Sequence, residues 1–212
     1  MSIQWEPDTK ITEEELLAAE HFHGHKCPAM PQGLRAAHLA MDILGVQRAR
    51  GGGELKAIVE IGDHHFSGCF ADGVQFATGC TFGKGNIEKE PLGKFALTLV
   101  NPKTKKAVRV SAKYDRMKMC LEMPFFEKRK NGVPPFELDP KDVEPLIEDV
   151  VTRDWRDMFA VRTFEHYPAA RAAESFNAVQ CANCKEMVVA EYEKQLDGEF
   201  LCQACFSARV HR

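Results

Sequence analysis

The stretch HFHGHKCPAMPQGLRAAHLAMDILG, residues 21–45, holds the end of one predicted helix and the start of another. A T-x-x-E capping box at Thr12 and Glu15 starts the first helix, which should end near Gly24. Apolar residues at three-to-four spacing, followed by a glycine, predict the second helix over residues 31–44. Pro28 disfavours a helical backbone at the residue before it. The stretch therefore lies at the corner between two helices.

Further helices and strands follow along the chain. The predicted strands are 55–61, 95–100, 107–111 and 158–164, and the predicted helices are 69–79 and 140–151. The two middle strands flank the sequence NPKTKK, whose Asn101 and Pro102 favour a turn, so they are expected to form a β-hairpin. Residues 113–145 are charged and contain prolines, and no regular pattern emerges from them.

Composition limits the classes of function. The 212 residues are 44% hydrophobic and 28% charged, which is typical of a globular protein. A net charge of -3 and an isoelectric point near 6.3 disfavour a nucleic-acid partner. The start MSIQWEPDTKITEEE is unlike a signal peptide, and no run approaches 18 apolar residues. We therefore expect a cytoplasmic protein with no membrane association.

The carboxy-terminal cysteines predict a structural zinc site. They follow the pattern C-x2-C-x17-C-x2-C at Cys181, Cys184, Cys202 and Cys205. Two knuckles joined by a hairpin would give a closed tetrahedral site, and two disulfides or idle thiols are the alternatives. Residues 180–212 are thus expected to form a four-cysteine zinc finger of the zinc-ribbon or treble-clef kind, joined by a linker at 167–179 to a core domain at 1–166. Arg209, His211 and Arg212 add local positive charge.

The corner at residues 21–28 gathers imidazoles and a thiol. His21, His23, His25 and Cys27 occupy every second position, but the helix end at Gly24 leaves only the last two in extended backbone. Neighbouring Lys26, the histidines and the start of the next helix would favour a thiolate on Cys27. Such a cluster is typical of a metal site or a nucleophile, and the alternative is surface histidines beside a buried cysteine.

A second cluster lies in GDHHFSGCFADGVQFATGCTFGKGN, residues 62–86. On a helix Cys69, Asp72 and Cys80 share a face, with the two thiols about 16 Å apart. Cys69 therefore needs other partners, for which Cys27 and the flanking His64 and His65 are candidates; the alternative is a small buried core residue. The segment GCTFGKGN matches a phosphate loop poorly, although its glycines and Lys84 could form an anion-holding turn. Cys120, among apolar neighbours, is interpreted as core.

Three segments together resemble the E-subunit family of formylmethanofuran dehydrogenase. They are FHGHKCP at 22–28, SGCFADGVQFATGCTFGKGN at 67–86 and GKFALTLVNPKTKKAVRV at 93–110, within a resemblance that covers about 19–164. The cysteine module resembles small zinc fingers that some members append. The resemblance implies an α+β core of mixed helices and antiparallel sheet, a homodimer and a pocket lined by the His/Cys motif. Where many members have CPG, this chain has Ala29 after Pro28.

The resemblance also implies the site residues. The family motif carries over onto His23, His25, Cys27, Cys69, Asp72, Gln75, Cys80 and Lys84. We expect His23, His25 and Cys27 to bind a metal and form one wall of the pocket. Cys69 and Asp72 should form the opposite wall, and Cys27, Cys69 and Asp72 are the candidate catalytic residues. Cofactor binding is assigned to Gln75, Cys80 and Lys84.

Three functions follow from these features. The first is a metal-binding accessory protein of molybdenum or tungsten formylmethanofuran dehydrogenase systems, with such an enzyme as partner. It would hold structural zinc in the finger and a second zinc or another transition metal, or a reactive thiol, in the core. The second is a stand-alone zinc- or cysteine-dependent enzyme acting on a small molecule. The third is a zinc-finger adaptor that binds protein or nucleic acid.

Overall fold

The protein divides into two compact units, residues 1–170 and 171–212. The computed structural model describes residues 10–64, 68–168 and 175–211. The predicted linker at 167–179 spans the division between the units, and part of it lies outside the described residues. His65 and Arg212, which the sequence analysis singled out, also lie outside them. Among the described residues, no helix is long and apolar enough to cross a membrane.

The first unit is an α+β domain, which confirms the predicted fold class. Its helices are α1 (Glu13–His23), α2 (Ala29–Leu44), α3 (Cys69–Thr78), α4 (Tyr114–Leu121), α5 (Pro124–Lys130), α6 (Pro140–Thr152) and α7 (Trp155–Met158). Its strands are β1 (Lys56–Val59), β2 (Ile87–Lys89), β3 (Ala96–Val100), β4 (Ala107–Ala112) and β5 (Phe159–Phe164). The N-cap half of the predicted capping box is present, since the Thr12 hydroxyl accepts from the Glu15 N–H at 3.1 Å, while the Glu15 carboxylate pairs with His38 at 2.7 Å.

The strands form one sheet in the order β2-β1-β3-β4-β5. All neighbours are antiparallel except β1 and β2, which pair in parallel with Ala57 opposite Ile87. The sequence analysis missed β2 because three residues are too few to show a strand pattern. The hairpin of β3 and β4 is present as predicted, with Val100 opposite Ala107.

The two faces of the sheet bury different groups. One face packs under α2 with alternate aliphatic side chains, which include Val59, Leu97 and Val110. The opposite face carries a smaller apolar cluster and a bidentate ion pair, in which Arg109 donates to Glu60 at 2.6 and 2.7 Å. Helices α4, α5 and α6 enclose a separate apolar cluster. Cys120 is buried in that cluster, as its interpretation as core requires.

Helices α2 and α3 cross at two glycines. A Cβ atom added at Gly33 would lie 2.1 Å from the carbonyl oxygen of Phe70, and one added at Gly73 would lie 2.0 Å from that of Met30. Real Cβ atoms essentially never come within 3.0 Å of such atoms. The two backbones can approach this closely only because neither glycine has a side chain. The crossing fixes the position of the start of α3 relative to the start of α2.

The second unit is a small domain of two hairpins and a helix. It contains β6 (Ala178–Gln180), β7 (Met187–Val189), β8 (Lys194–Leu196), β9 (Glu199–Leu201) and α8 (Gln203–Val210). Strands β6 and β7 pair with each other, as do β8 and β9. Leu201 and Cys181 are the fully buried side chains among its described residues. So small an apolar core leaves the unit dependent on another source of folding energy.

The glycine crossing generates a prediction about stability. We expect Gly73→Ala to lower the free energy of unfolding by about 1–3 kcal/mol. The added methyl group would clash with the backbone of α2, and the clash can be relieved only if that backbone moves. Chemical denaturation with a linear extrapolation measures the change. The control is Gly83→Ala, where nothing lies within 4 Å of the added Cβ. Equal stability of the two variants would contradict the close crossing.

Candidate metal centre

The corner between α1 and α2 presents the first three side chains of the centre. α1 ends at His23, and Gly24 follows at φ +99°, in the left-handed region that favours glycine. The Gly24 N–H donates to the Glu20 carbonyl at 2.8 Å and closes the helix end. Beyond this turn the His25 ring lies 4.2 Å from the His23 ring, centroid to centroid. The sulfur of Cys27 lies 3.6 Å from His23 Nε2.

The amino end of α3 supplies a fourth side chain. Cys69 is the first residue of this helix, and the glycine crossing sets it against the corner. The ligand atoms of His23, His25, Cys27 and Cys69 all lie within 4.8 Å of one another. Two imidazole nitrogens and two sulfurs at such distances can surround one metal ion. The structure thus brings the candidate metal ligands together with Cys69.

Asp72 lies behind this group and orients it. Its carboxylate is 2.8 Å from His23 Nδ1, which leaves Nε2 of the same ring directed at the sulfur of Cys27. Gln75 donates to the other carboxylate oxygen at 3.2 Å and accepts from the Phe82 N–H. A carboxylate on the far nitrogen of a histidine is the usual partner of a metal-bound imidazole. Asp72 and Gln75 therefore lie next to the group of four potential ligands without belonging to it.

The charges in the group differ from those predicted. The pKa of Cys69 lies well below its usual range, first because Cys27 donates a hydrogen bond to it and then because of His23. That hydrogen bond and burial raise the pKa of Cys27. Asp72, followed by Cys69, raises the pKa of His23 to about 9. These directions favour the thiolate on Cys69 rather than on Cys27, where it was predicted, and Lys26 pairs with Glu144 at 3.3 Å.

One ring nitrogen of His25 is buried beside this group. Its Nε2 is buried and has no hydrogen-bond partner among the residues that the structure describes. Burial, and then the charge of His23, lower the pKa of His25, which favours the neutral imidazole that binds metals. A buried polar atom without a partner costs free energy. This orphaned atom and the thiol-rich donor set both fit a bound metal ion.

A cavity of about 350 Å³ opens beside the group. His25, Cys27 and Cys69 form part of its lining. Its remaining lining comes from the start of α2, from α4 and α5, and from the segment after α5: Pro28, Ala29, Leu121, Phe125, Phe126, Arg129, Lys130 and Pro135. A small molecule in this space would contact the candidate metal ligands directly.

Other predicted site residues lie elsewhere. Cys80 follows the opposite end of α3 from Cys69 and is fully buried in the main core, where burial raises its pKa to about 11. Lys84 donates to the carbonyls of Gly79 and Ala49 at 2.7 and 3.1 Å, so its ammonium group closes a helix end. His64 is exposed and outside the ligand group. Cys69 therefore finds its partners at the corner instead.

The second unit holds another group of potential ligands. The sulfurs of Cys181, Cys184, Cys202 and Cys205 lie within 4.8 Å of one another and could hold a metal such as zinc. The first pair lies in the turn between β6 and β7, where Lys185 adopts φ +67°. The Cys202 N–H donates to the sulfur of Cys181 at 3.3 Å. This hydrogen bond is the main reason that the pKa of Cys181 is lowered to about 6.

The second cysteine pair departs from the predicted knuckle. Cys202 caps α8 and Cys205 lies in its first turn, so a helix start presents both sulfurs. A knuckle, a hairpin and a helix start are the parts of a treble-clef finger, one of the two kinds of zinc finger that were predicted. Arg209 pairs with Glu199 at 2.6 Å, which offsets the local positive charge expected near the carboxy terminus.

The geometry predicts which core thiol reacts first. In metal-free protein, iodoacetamide should modify Cys69 about tenfold faster or more than Cys27, because Cys69 is the thiolate and is partly exposed. Peptide mass spectrometry over time measures each rate. Cys80, fully buried with a raised pKa, is the internal control for slow modification. Faster modification of Cys27 than of Cys69 would contradict this charge distribution.

Comparisons with known proteins agree with the predicted family and fold. A probable S-adenosyl-L-methionine-binding protein of Archaeoglobus fulgidus is 34% identical over 208 residues. The match covers 94% of the chain, but the chain spans only about half of that relative, 54% of its length. The solved structure of a tungsten formylmethanofuran dehydrogenase FmdE-like protein from Syntrophus aciditrophicus matches with 25% identity and a TM-score of 0.55, covering 92% of both chains.

The family model for FmdE, described as "Molybdenum formylmethanofuran dehydrogenase operon", matches residues 22–160. The matched span begins one residue before His23 and includes all four candidate ligands of the core. It ends before the cysteine module. The chain belongs to the FmdE family, the E-subunit family of formylmethanofuran dehydrogenase that its sequence resembles.

Proposed function

We propose that this protein is a metal-binding accessory protein of formylmethanofuran dehydrogenase-type systems. In this proposal its core site binds zinc or another transition metal through His23, His25, Cys27 and Cys69. The finger holds a structural zinc. The protein would act in the cytoplasm as a homodimer, with a molybdenum or tungsten enzyme as its partner. Membership of the FmdE family supports the link to these systems.

The observation that carries the proposal is the hydrogen bond from the His23 ring to Asp72. At 2.8 Å it fixes Nδ1 as the outward nitrogen and leaves Nε2 facing Cys27. Chance clustering of cysteine and histidine would not require a carboxylate at this position. The orphaned Nε2 of His25 adds independent support. Soft sulfur and imidazole donors suit zinc and related ions better than magnesium or calcium.

The two candidate sites are suited to different roles. Four cysteine thiolates close the coordination sphere of the finger, so an ion there serves folding. The core site borders a cavity of about 350 Å³, and Cys69 at its edge is only partly buried. A small molecule in this cavity would lie beside the core ligands and could reach the partly exposed Cys69. This difference favours the core as the working site.

A second candidate function is catalysis on a small molecule. The specific observation in its favour is a Cys69 thiolate beside a His23 imidazolium at the end of a cavity. Such pairs are typical of activated nucleophiles. The adaptor function gains no support from the finger, where Arg209 is paired.

The proposal predicts two separate metal sites. Protein produced with zinc should contain one ion in each unit, as measured by elemental analysis of purified protein. Replacing Cys181 and Cys184 by serine should leave the core ion, and replacing Cys27 and Cys69 by serine should leave the finger ion. Cys80→Ala is the matched control and should retain both. A finger variant without any metal would refute the core site.

The positioning role of Asp72 gives a sharper test. Asp72→Asn should weaken metal binding by the core about 10–100-fold, because the His23 ring loses its charged partner. Competition with a chromophoric chelator measures the affinity of the core ion. Asp63→Asn, at an exposed carboxylate that pairs with Lys89, is the matched control. Unchanged core affinity in Asp72→Asn would argue against a metal at His23 Nε2.

A further inference from the structure

The cavity beside the core site has one apolar wall and one charged wall. Phe125, Phe126 and Leu121 contribute apolar surface, and Pro28 and Pro135 extend it. Phe125 and Phe126 meet edge to face, with ring centroids 4.9 Å apart and planes at 82°. Such a wall accommodates an aliphatic or aromatic body of a few carbon atoms. The volume of about 350 Å³ is at the lower end for small-molecule sites.

The charged wall comes from the last turn of α5. Arg129 and Lys130 line the cavity, and its lining includes no acidic side chain among the described residues. Arg129 donates Nη1 to the Val133 carbonyl at 2.6 Å, and Lys130 approaches the Leu121 carbonyl at 3.4 Å. Neither forms an ion pair within the part of the chain that the structure describes. Their charge is therefore not neutralised by these parts of the protein.

Two other cations on this helix and its neighbour have acidic partners. Lys128, which precedes Arg129, pairs with Asp142, and Arg116 of α4 pairs with Asp149. The two cations that line the cavity thus differ from these in having no acidic partner in the described chain. Arg129 is partly buried, whereas Lys130 is exposed, so the guanidinium is the inner charge and the ammonium the outer one. A guanidinium with free N–H groups is suited to a carboxylate.

We propose that this cavity binds a small organic carboxylate, with its anionic group on Arg129 and its apolar body against Phe125 and Phe126. The other end of the molecule then faces His25, Cys27 and Cys69. Lys130 attracts the anion at the entrance. The inference rests on the proposed function only in placing the far end of the ligand beside the core ion, since the contact with Arg129 does not itself require that ion.

The test uses phenylacetate as the probe and phenylacetamide, its neutral isostere, as the reference ligand. Zinc-loaded full-length protein should bind the acid about tenfold more tightly than the amide, since only the acid forms a charge-assisted pair with Arg129. Isothermal titration and ligand-observed NMR measure both affinities. Equal affinities, or no binding of the acid up to about 10 mM, would overturn the proposal.

Variants identify the charge responsible. Arg129→Gln should abolish the preference for the acid, a loss of about tenfold. Lys130→Gln should cost less, and its effect should shrink as salt is raised, because the ammonium group is exposed. Lys118→Gln removes a cation from α4 that lies outside this cavity and should change nothing. An Arg129→Gln protein that still prefers the acid would overturn the assignment.

Metal content separates this inference from the proposed function. Each variant is analysed for zinc, and Arg129→Gln should retain the core ion while it loses the acid. If Arg129→Gln protein lost the core ion, the assignment of Arg129 as a residue that binds only the anion would be overturned. If wild-type protein lacks a core ion but still prefers the acid in an Arg129-dependent way, the proposed function fails and the anion site stands. If the ion is present without that preference, the anion site fails alone.

Discussion

The close approach of α2 and α3 at Gly33 and Gly73 is the constraint on which the core site depends. With carbonyl oxygens about 2 Å from where side chains would begin, the two helices could not approach this closely if either position carried a side chain. The contact lies one turn from Cys69 on α3 and less than two turns from Cys27 near the start of α2. Backbone contact at this short range sets the distances between ligand atoms more firmly than flexible side chains could.

Each part of the site is stabilised from outside. Gly24 ends α1 so that His23 and His25 are presented side by side, and Asp72 holds one of these rings in a fixed orientation. Gln75 holds Asp72 in turn and is itself tied to the backbone of Phe82. The chain of contacts runs from a loop after α3 back to the corner. Residues that never touch a ligand therefore determine how well the site binds one.

Local sequence signals predicted the parts of this structure that local physics decides. The capping box at Thr12, the stop at Gly24, the β3–β4 hairpin and the cysteine spacing of the finger all depend on neighbours in sequence. From the sequence, Cys27 at the corner was only one of several candidate partners for Cys69. His64 lies nearer in sequence to Cys69 but is exposed to solvent. The packing of the helices, rather than proximity in sequence, determines which side chains surround Cys69.

The features that sequence reasoning missed depend on tertiary contacts. Residues 113–145 showed no pattern, yet they form α4 and α5, whose apolar side chains are buried against α6. No local signal marks Phe125 or Arg129 as lining a cavity beside cysteines that lie far earlier in the chain. Charge placement was missed for the same reason. Lys26, adjacent to Cys27 in sequence, is held by Glu144 on α6.

The hydrogen bond between His23 and Asp72 joins positions 49 residues apart. An ion bound by the corner and by α3 would close the same long loop a second time, as a removable cross-link in the chain. Loss of the ion would then remove its binding free energy from the folded state as well as empty the site. The folding stability of the core would then depend on how much of the protein has metal bound. A partner that withdraws the ion would also loosen the fold that carried it.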